Sequence, residues 1–506
     1  MTAPIAAAGS FLTLNRCSNE QCVPNIVLMY ADDLGYGDVS CYGAHRVNTP
    51  NIDRLAQEGL RFTNAYSTAA TCTPSRYSLL TGEYAWRKKG TGIASGDASM
   101  IIDPDKTTLP DVLSRAGYKT GIVGKWHLGL GSGDLNWNKE IKPGPLELGF
   151  DYSFLIPATG DRVPCVYVEN HHVVGLAEND PVKVSFNDKV GDEPTGLSHP
   201  ELLKVPADTQ HSNTIVNGIS RIGYMSGGKS ARWVDEDMAD VITDQALDFI
   251  DQQQNNPFFL YFSFHDIHVP RVPNPRFVGK TDMGARGDAI VQLDWCVGQI
   301  LNKLDELKLT ENTLVIFSSD NGPVLNDGYE DEAVERLGDH KTTGPLRGGK
   351  YSSFEGGTRV PFVLRWPQYV STGESDALIS QVDLMASFAE LVKQPLSKDQ
   401  AIDSQNQLTA LMGVTTSGRK HLVQQAMGGY LSLRTREWKY IPPGEGPAVM
   451  LNKNIETGRS GQSQLYHLTK DIGEKVNLAE EYPEVINVLQ KTLAQIHSKG
   501  DRLRKS

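Results

Sequence analysis

The chain has 506 residues, of which 39% are hydrophobic and 22% charged, and its formal net charge is −12 at pH 7. Such an acidic balance excludes nucleic acid as a default partner, which would need a clustered basic face, and any anionic substrate must be drawn in by a local basic pocket. No stretch of about 18 apolar residues occurs, so no membrane span is expected, and the six cysteines are too few in so long a chain for a disulfide framework.

Met1–Ser10 is small and weakly apolar but carries no basic leader, so a complete secretory signal is not visible. Residues 1–24 read as a lead-in, in which the spacing of Cys17 and Cys22 would permit a pair. Asn25–Tyr30 is a strand buried on both faces, because its apolar residues run without alternation. It leads into Ala31-Asp32-Asp33, followed by Gly35 and Gly37. Neighbouring carboxylates repel unless a cation sits between them. Next comes Cys72-Thr73-Pro74-Ser75-Arg76, continuing Tyr77-Ser78-Leu79-Leu80-Thr81-Gly82. Pro74 marks the first turn of a helix, where free N–H groups and the helix dipole favour an anion. Cys72 is therefore a candidate nucleophile beside an anion site, whereas Cys41, Cys165 and Cys296 read as buried thiols.

In Gly117–His127 the alternation of Lys125 and His127 would turn both to one side of an extended segment. From about 151 to 232 the chain is polar and irregular, as expected of an insertion lining a substrate mouth. Asp161, Arg162 and His172 within it are side chains of the type that reads hydroxyl groups.

Further buried strands are expected at Phe258–Phe264, Leu314–Phe317 and Pro361–Leu364. Between them, Met238, Val241, Ile242, Ala246 and Phe249 share one helical face, and Ile290, Leu293, Val297, Ile300 and Leu304 another. Strands alternating with helices specify an α/β fold with a large, mainly parallel sheet covered on both sides. Sites in such sheets gather beyond the carboxyl ends of the strands. Those ends carry Asp32 and Asp33, then His265-Asp266-Ile267-His268, then Ser318-Ser319-Asp320-Asn321. The all-oxygen set Asp32, Asp33, Asp320 and Asn321 suits calcium or magnesium better than zinc. His265 and His268 both follow a strand end, and a near-neutral pKa would suit His268 to acid–base work. In Leu346-Arg347-Gly348-Gly349-Lys350 the glycines allow close backbone approach beside Lys350.

After about Pro395 the pattern changes. Tyr430–Arg434, Trp438–Ile441 and Gln464–Tyr466 read as short antiparallel strands, and Pro483 opens a terminal helix. The expected division is 1–24, a catalytic domain at 25–395, and a small α+β C-terminal subdomain at 396–506.

Cys72–Gly82 fits Cys-x-Pro-Ser-Arg-x4-Thr-Gly at every fixed position and so resembles the signature of type I sulfatases. Gly117–His127 resembles the second signature of that family, and the whole outline is similar to the sulfatase branch of the alkaline-phosphatase superfamily. The resemblance implies a sulfuric ester hydrolase in which a separate maturating enzyme oxidises Cys72 to formylglycine. The hydrated aldehyde attacks sulfur with one hydroxyl, and the other then loses a proton and expels sulfate. It further implies one calcium ion held by Asp32, Asp33, Asp320, Asn321 and the residue at Cys72. Lys125, His268 and Lys350 would bind sulfate, His127 would take the proton from the diol, His268 would protonate the leaving alcohol, and Arg76 would orient the hydrate. An exported protein, periplasmic or extracellular, acting on a sulfated glycan is the implied setting, with sulfated galactose or hexosamine as the sugar. The competing readings are a phosphomonoester or phosphonate ester hydrolase of the same superfamily and a catalytically silent glycan-binding homologue.

Overall fold

The computed structural model describes residues 23–503; the Cys17–Cys22 pairing and the reading of Met1–Ser10 lie outside them. A ten-stranded sheet organises the chain. Its centre is five parallel strands in the order Thr313–Ser319, Asn25–Ala31, Phe258–Ser263, Lys119–Lys125 and Tyr152–Ile156. All seven residues of Asn25–Ala31 are buried, as expected of the middle strand of a sheet covered on both faces.

The sheet is mixed at its flanks. Phe362–Arg365 pairs antiparallel with Thr313–Ser319 and carries Leu60–Phe62 and Gly373–Ser375 beyond it. On the other side, Val168–Glu169 and His172–Val173 add antiparallel to Tyr152–Ile156. The stretch 151–232 thus begins with a buried strand of the main sheet before turning irregular.

The helices fall into two packed groups. Pro50–Gln57 and Met238–Gln253 both pack on Gly284–Glu306, and Cys72–Thr81, Leu109–Arg115 and Leu384–Leu391 pack on one another. Ile290, Leu293, Val297, Ile300 and Leu304 are all fully buried, so the apolar stripe read from the sequence faces the core.

The glycine-rich sequence of Lys119–Lys125 indicates only an extended segment, and in the fold it is a full strand. Its glycines mask the strand signal and are required by close approach. A Cβ on Gly121 would sit 2.6 Å from the Phe249 ring, and one on Gly124, at φ 104°, would sit 1.9 Å from the Ser263 carbonyl oxygen.

The C-terminal part forms a separate four-stranded antiparallel sheet, His421–Gln425, Leu431–Thr435, Trp438–Ile441 and Gln464–His467. Helix Pro483–Leu503 covers it, with Leu489 packed among Val423, Leu433, Tyr440 and Leu465.

Candidate active site

The parallel strands end side by side, and their first residues beyond the sheet converge. Ala31 and Ser319 are register partners, so Asp32 and Asp320 leave the sheet together. Lys125 is the last residue of its strand. Helix Cys72–Thr81 starts at the cysteine itself, after an extended Thr71, and every one of its residues is buried. Ser75 ties the start down: its hydroxyl accepts from the Ala69 N–H (3.2 Å) and donates to the Ala69 carbonyl (2.8 Å).

Arg76, one helical turn beyond Cys72, is fully buried. Its Nε and Nη2 donate to Asp320 Oδ2 at 3.0 and 2.8 Å, and its Nη1 donates to Ser263 Oγ at 2.5 Å and to the Lys125 carbonyl at 3.3 Å. One guanidinium thus ties together the ends of neighbouring strands, a use of the fixed donor fork that a lysine could not copy.

Ligand atoms of Asp32, Asp33, Cys72 and His268 lie within 4.8 Å of one another. Lys125 Nζ donates to Asp32 Oδ2 at 2.5 Å, and Lys350 Nζ to Asp33 Oδ2 at 2.7 Å. Asn321 Nδ2 donates to Asp33 Oδ1 at 2.7 Å, and the Asp33 N–H to Asp320 Oδ1 at 3.2 Å. Asp33 holds its place at φ 61°, a left-handed conformation that aspartate tolerates better than most residues. Two buried oxygens, Asp32 Oδ1 and Asn321 Oδ1, have no hydrogen-bond partner among the described residues.

The electrostatics follow from this packing. Burial, with Asp320 and Asp33 alongside, pushes the Asp32 carboxyl well up against the pull of Lys125. Burial acts on Asp33 in the same direction, but Lys350, His268 and Lys125 overcome it and hold that carboxyl below the usual range. Burial pushes the Cys72 thiol up to about 11 despite nearby Lys125 and Lys350. The free thiol is therefore protonated at neutral pH and a poor nucleophile.

The two histidines present opposite faces. His127 follows the strand at φ 56°, so it is not on one extended segment with Lys125 as expected, and the turn rather than alternation brings it in. Its Nε2 lies 2.9 Å from the Ala94 carbonyl, which fixes the proton there and leaves Nδ1 buried and unpartnered, a ready acceptor. Thr73 braces this arrangement, donating to the His127 carbonyl (3.1 Å) and accepting from the Ala94 N–H (3.2 Å). Burial, with Lys125 and Arg162, drives His127 well below its ordinary pKa.

His268 has Nδ1 2.7 Å from the Val269 carbonyl and Nε2 3.8 Å from Asp33 Oδ2. The near-neutral pKa expected for it is not found: burial and Lys350 bring it down to about 4. His265 turns away, toward Asp266 at 3.6 Å, which is itself held by Gln292.

Asp161 and Arg162 form a second layer. Arg162 Nη1 lies 2.7 and 3.0 Å from the Asp161 oxygens, and Thr159 hydrogen-bonds to the same carboxylate. His211 joins from the far end of the 151–232 stretch, with Nε2 3.5 Å from Asp161 and Nδ1 2.7 Å from Asp208. His172 does not join them. It is exposed in the outermost strand of the sheet and shares no hydrogen bond or ion pair with the cluster among the described residues.

Three neighbours escaped the sequence reading: His211, Asp327 and Lys453. Asp327 accepts from Lys350 at 3.0 Å and from the Tyr351 hydroxyl at 3.0 and 3.2 Å, and Lys453 reaches it from the C-terminal part. Asn326-Asp327-Gly328 and Asn452-Lys453-Asn454 read as ordinary polar turns, and nothing local distinguishes them.

A family model described as Sulfatase matches residues 24–394. The chain is 54% identical over 477 residues to an N-acetylgalactosamine-6-O-sulfatase of Bacteroides thetaiotaomicron, covering 94% of this chain and 93% of that protein. It is 31% identical over 495 residues to human arylsulfatase A, covering 92% and 86% of the two chains. A solved structure from work on glycosaminoglycan metabolism by Bacteroides thetaiotaomicron superposes with a TM-score of 0.93 at 54% identity, covering 95% of this chain and all of that one. A phosphonate monoester hydrolase of Agrobacterium radiobacter shares the fold at a TM-score of 0.57 and 17% identity, over 94% of this chain and 96% of that one.

Proposed function

The chain belongs to the sulfatase family, and from that premise we propose that it removes O-sulfate from a sulfated glycan, with 6-O-sulfated N-acetylgalactosamine as the preferred sugar. One observation carries the reading: Asp32, Asp33, Cys72 and His268 crowd within 4.8 Å, with Lys125 and Lys350 paired to the two acids. That is a compact cluster of buried, paired charges at a helix N-terminus, which a divalent cation would make suited to a sulfate group. The choice of sugar rests on the 54% identity to a protein of that named activity.

Asp32, Asp33, Asp320 and Asn321, with an oxygen at position 72, would hold a calcium ion. The donor set is hard and all-oxygen, and the unpartnered Asp32 Oδ1 and Asn321 Oδ1 fit that role. When bound, the ion supplies positive charge that polarises the sulfate and acidifies a neighbouring hydroxyl. Formylglycine at position 72, made by a separate maturating enzyme, would supply that hydroxyl in place of a thiol held protonated by burial.

The chain's own groups then divide the work. Lys125 and Lys350 bind sulfate oxygens, and Arg76 holds Asp320 and the helix in register. His127 accepts a proton at Nδ1, the nitrogen left free by its bond to Ala94. On the leaving side, the proton comes from Lys350 or from His268 Nε2. In neutral His268 the proton sits on Nδ1 against the Val269 carbonyl, so Nε2 donates only after the ring takes a second proton. Water supplies the hydroxyl that ends on sulfate, and the alcohol leaves protonated. Asp161, Arg162 and His211, joined by their mutual contacts, would read sugar hydroxyls; His172, exposed at the sheet edge, is not retained in this role. Export to the periplasm or beyond the cell belongs to the same reading and rests on the family resemblance.

The test is inorganic sulfate release from N-acetylgalactosamine 6-sulfate compared with its 4-sulfate. Preference for the 6-sulfate supports the reading; equal or reversed rates overturn the sugar assignment.

A further inference from the structure

The short hairpin of Val449–Met450 and Ile455–Glu456 belongs to the C-terminal part of the chain. Its turn nevertheless sends a lysine into the catalytic part. Lys453 Nζ lies 2.7 Å from Asp327 Oδ1, and both side chains are only 9% exposed. Leu451, two residues earlier, is 88% exposed. The apolar residue stands in water while the ammonium points inward, the reverse of the ordinary preference. An ammonium so enclosed is tolerable only when paired, and Asp327 is the partner.

The other oxygen of Asp327 accepts from Lys350 Nζ at 3.0 Å, and Lys350 also donates to Asp33 Oδ2 at 2.7 Å. One carboxylate thus carries two ammonium groups from distant parts of the chain. The Tyr351 hydroxyl touches both of its oxygens and holds the carboxylate plane.

We propose that Lys453 is a positioning residue for the sulfatase reaction, acting through Asp327 on Lys350. By occupying one oxygen of Asp327, it weakens the hold of that carboxylate on Lys350 and leaves the Lys350 ammonium free to shift toward a sulfate oxygen. Without Lys453, Lys350 is left as the remaining ammonium on Asp327, and an entering sulfate competes with a stronger internal pair. This rests on the sulfate-binding role proposed above for Lys350.

The test uses the matured, calcium-loaded full chain and two readouts: kcat and KM on the sulfated sugar, and the Kd of inorganic sulfate by calorimetry. Lys453→Met should raise both KM and that Kd by about tenfold, the order of one charge-assisted hydrogen bond, with kcat little changed. Lys453→Arg should stay near the parent values. In an Asp327→Asn background, Lys453→Met should change neither constant, because the coupling runs through that carboxylate. Unchanged KM and Kd in Lys453→Met overturn the proposal, as does a loss confined to kcat or an effect that persists beside Asp327→Asn. If Lys453→Met does not fold, Lys453→Gln is judged by the same criteria. Failure of the parent to release sulfate from any ester would instead overturn the functional reading, since the calorimetric arm does not need turnover.

Discussion

Lys125 Nζ lies 2.5 Å from Asp32 Oδ2, and both side chains are wholly shielded from solvent. A carboxylate and an ammonium taken so far from water offset each other, and neither is tolerated alone. Burial already pushes the Asp32 carboxyl well up, so without Lys125 it takes up a proton, and Lys125→Met should cost about 1–3 kcal/mol of stability, the penalty for a buried group left without its hydrogen-bond partner. Because calcium is proposed to bind Asp32, added calcium should recover part of the lost melting temperature. A variant that melts like the parent, or whose melting ignores calcium, would remove the electrostatic basis of the site.

Chelation should abolish most activity, and calcium should restore it. Asn321→Ala, which deletes a buried and unpartnered amide oxygen, should raise the calcium concentration needed for half-maximal activity without changing the fold. Titrating calcium against sulfate release is the measurement, and an unshifted midpoint would exclude Asn321 as a ligand.

Cys72→Ser, left unconverted, should retain substrate binding while losing turnover by several orders of magnitude, as removal of a nucleophile generally does. Intact-mass analysis of the peptide around Cys72 should show that sulfur is lost on maturation. Substantial turnover by the serine variant would contradict the covalent role.

Asp161→Asn should lower kcat/KM on the sulfated sugar while leaving turnover of a small aryl sulfate nearly intact, because an aryl group offers no hydroxyl for Asp161 or His211 to read. Equal losses on both substrates would mean that Asp161 serves only to hold Arg162.

Stability should also respond to pH through a site away from the chemistry. Glu474 Oε2 accepts from the Glu355 N–H at 2.7 Å, its Oε1 is buried without a partner among the described residues, and Lys439 is paired to Glu355 rather than to it. Burial, with Glu355 nearby, raises Glu474 to about 8 despite Lys439. The folded protein therefore keeps a proton that the unfolded chain releases near the ordinary glutamate value of about 4.3. The resulting stabilisation is complete below that value, falls by up to about 1.4 kcal/mol per pH unit, and is gone once pH has risen through about 8. Glu474→Gln should flatten this dependence in urea unfolding. An identical slope in parent and variant would contradict the protonated state.

Much of this was legible in the sequence because it is local. Cys72 to Gly82 carries its own spacing, and Asp32, Asp33, Asp320 and Asn321 follow continuous apolar strands that announce themselves. What stayed hidden was either masked or long-range. Gly121 and Gly124 obscure a central strand for reasons visible only in the contacts around them. Lys453 meets Asp327 across more of the chain than periodicity can connect. His172 shared its polar character with Asp161 and Arg162, but the hairpin beyond Tyr152–Ile156 carries it to the outer edge of the sheet. The pKa of His268 depends on Lys350 and on burial, neither of which adjoins it in sequence.

The most direct single test follows product release by matured, calcium-loaded protein from N-acetylgalactosamine 6-sulfate and, in parallel, from the matching 6-phosphate. Rapid liberation of inorganic sulfate and far slower liberation of phosphate are expected. Phosphate released faster, or no sulfate from this or any other sulfated sugar, would contradict the proposed function.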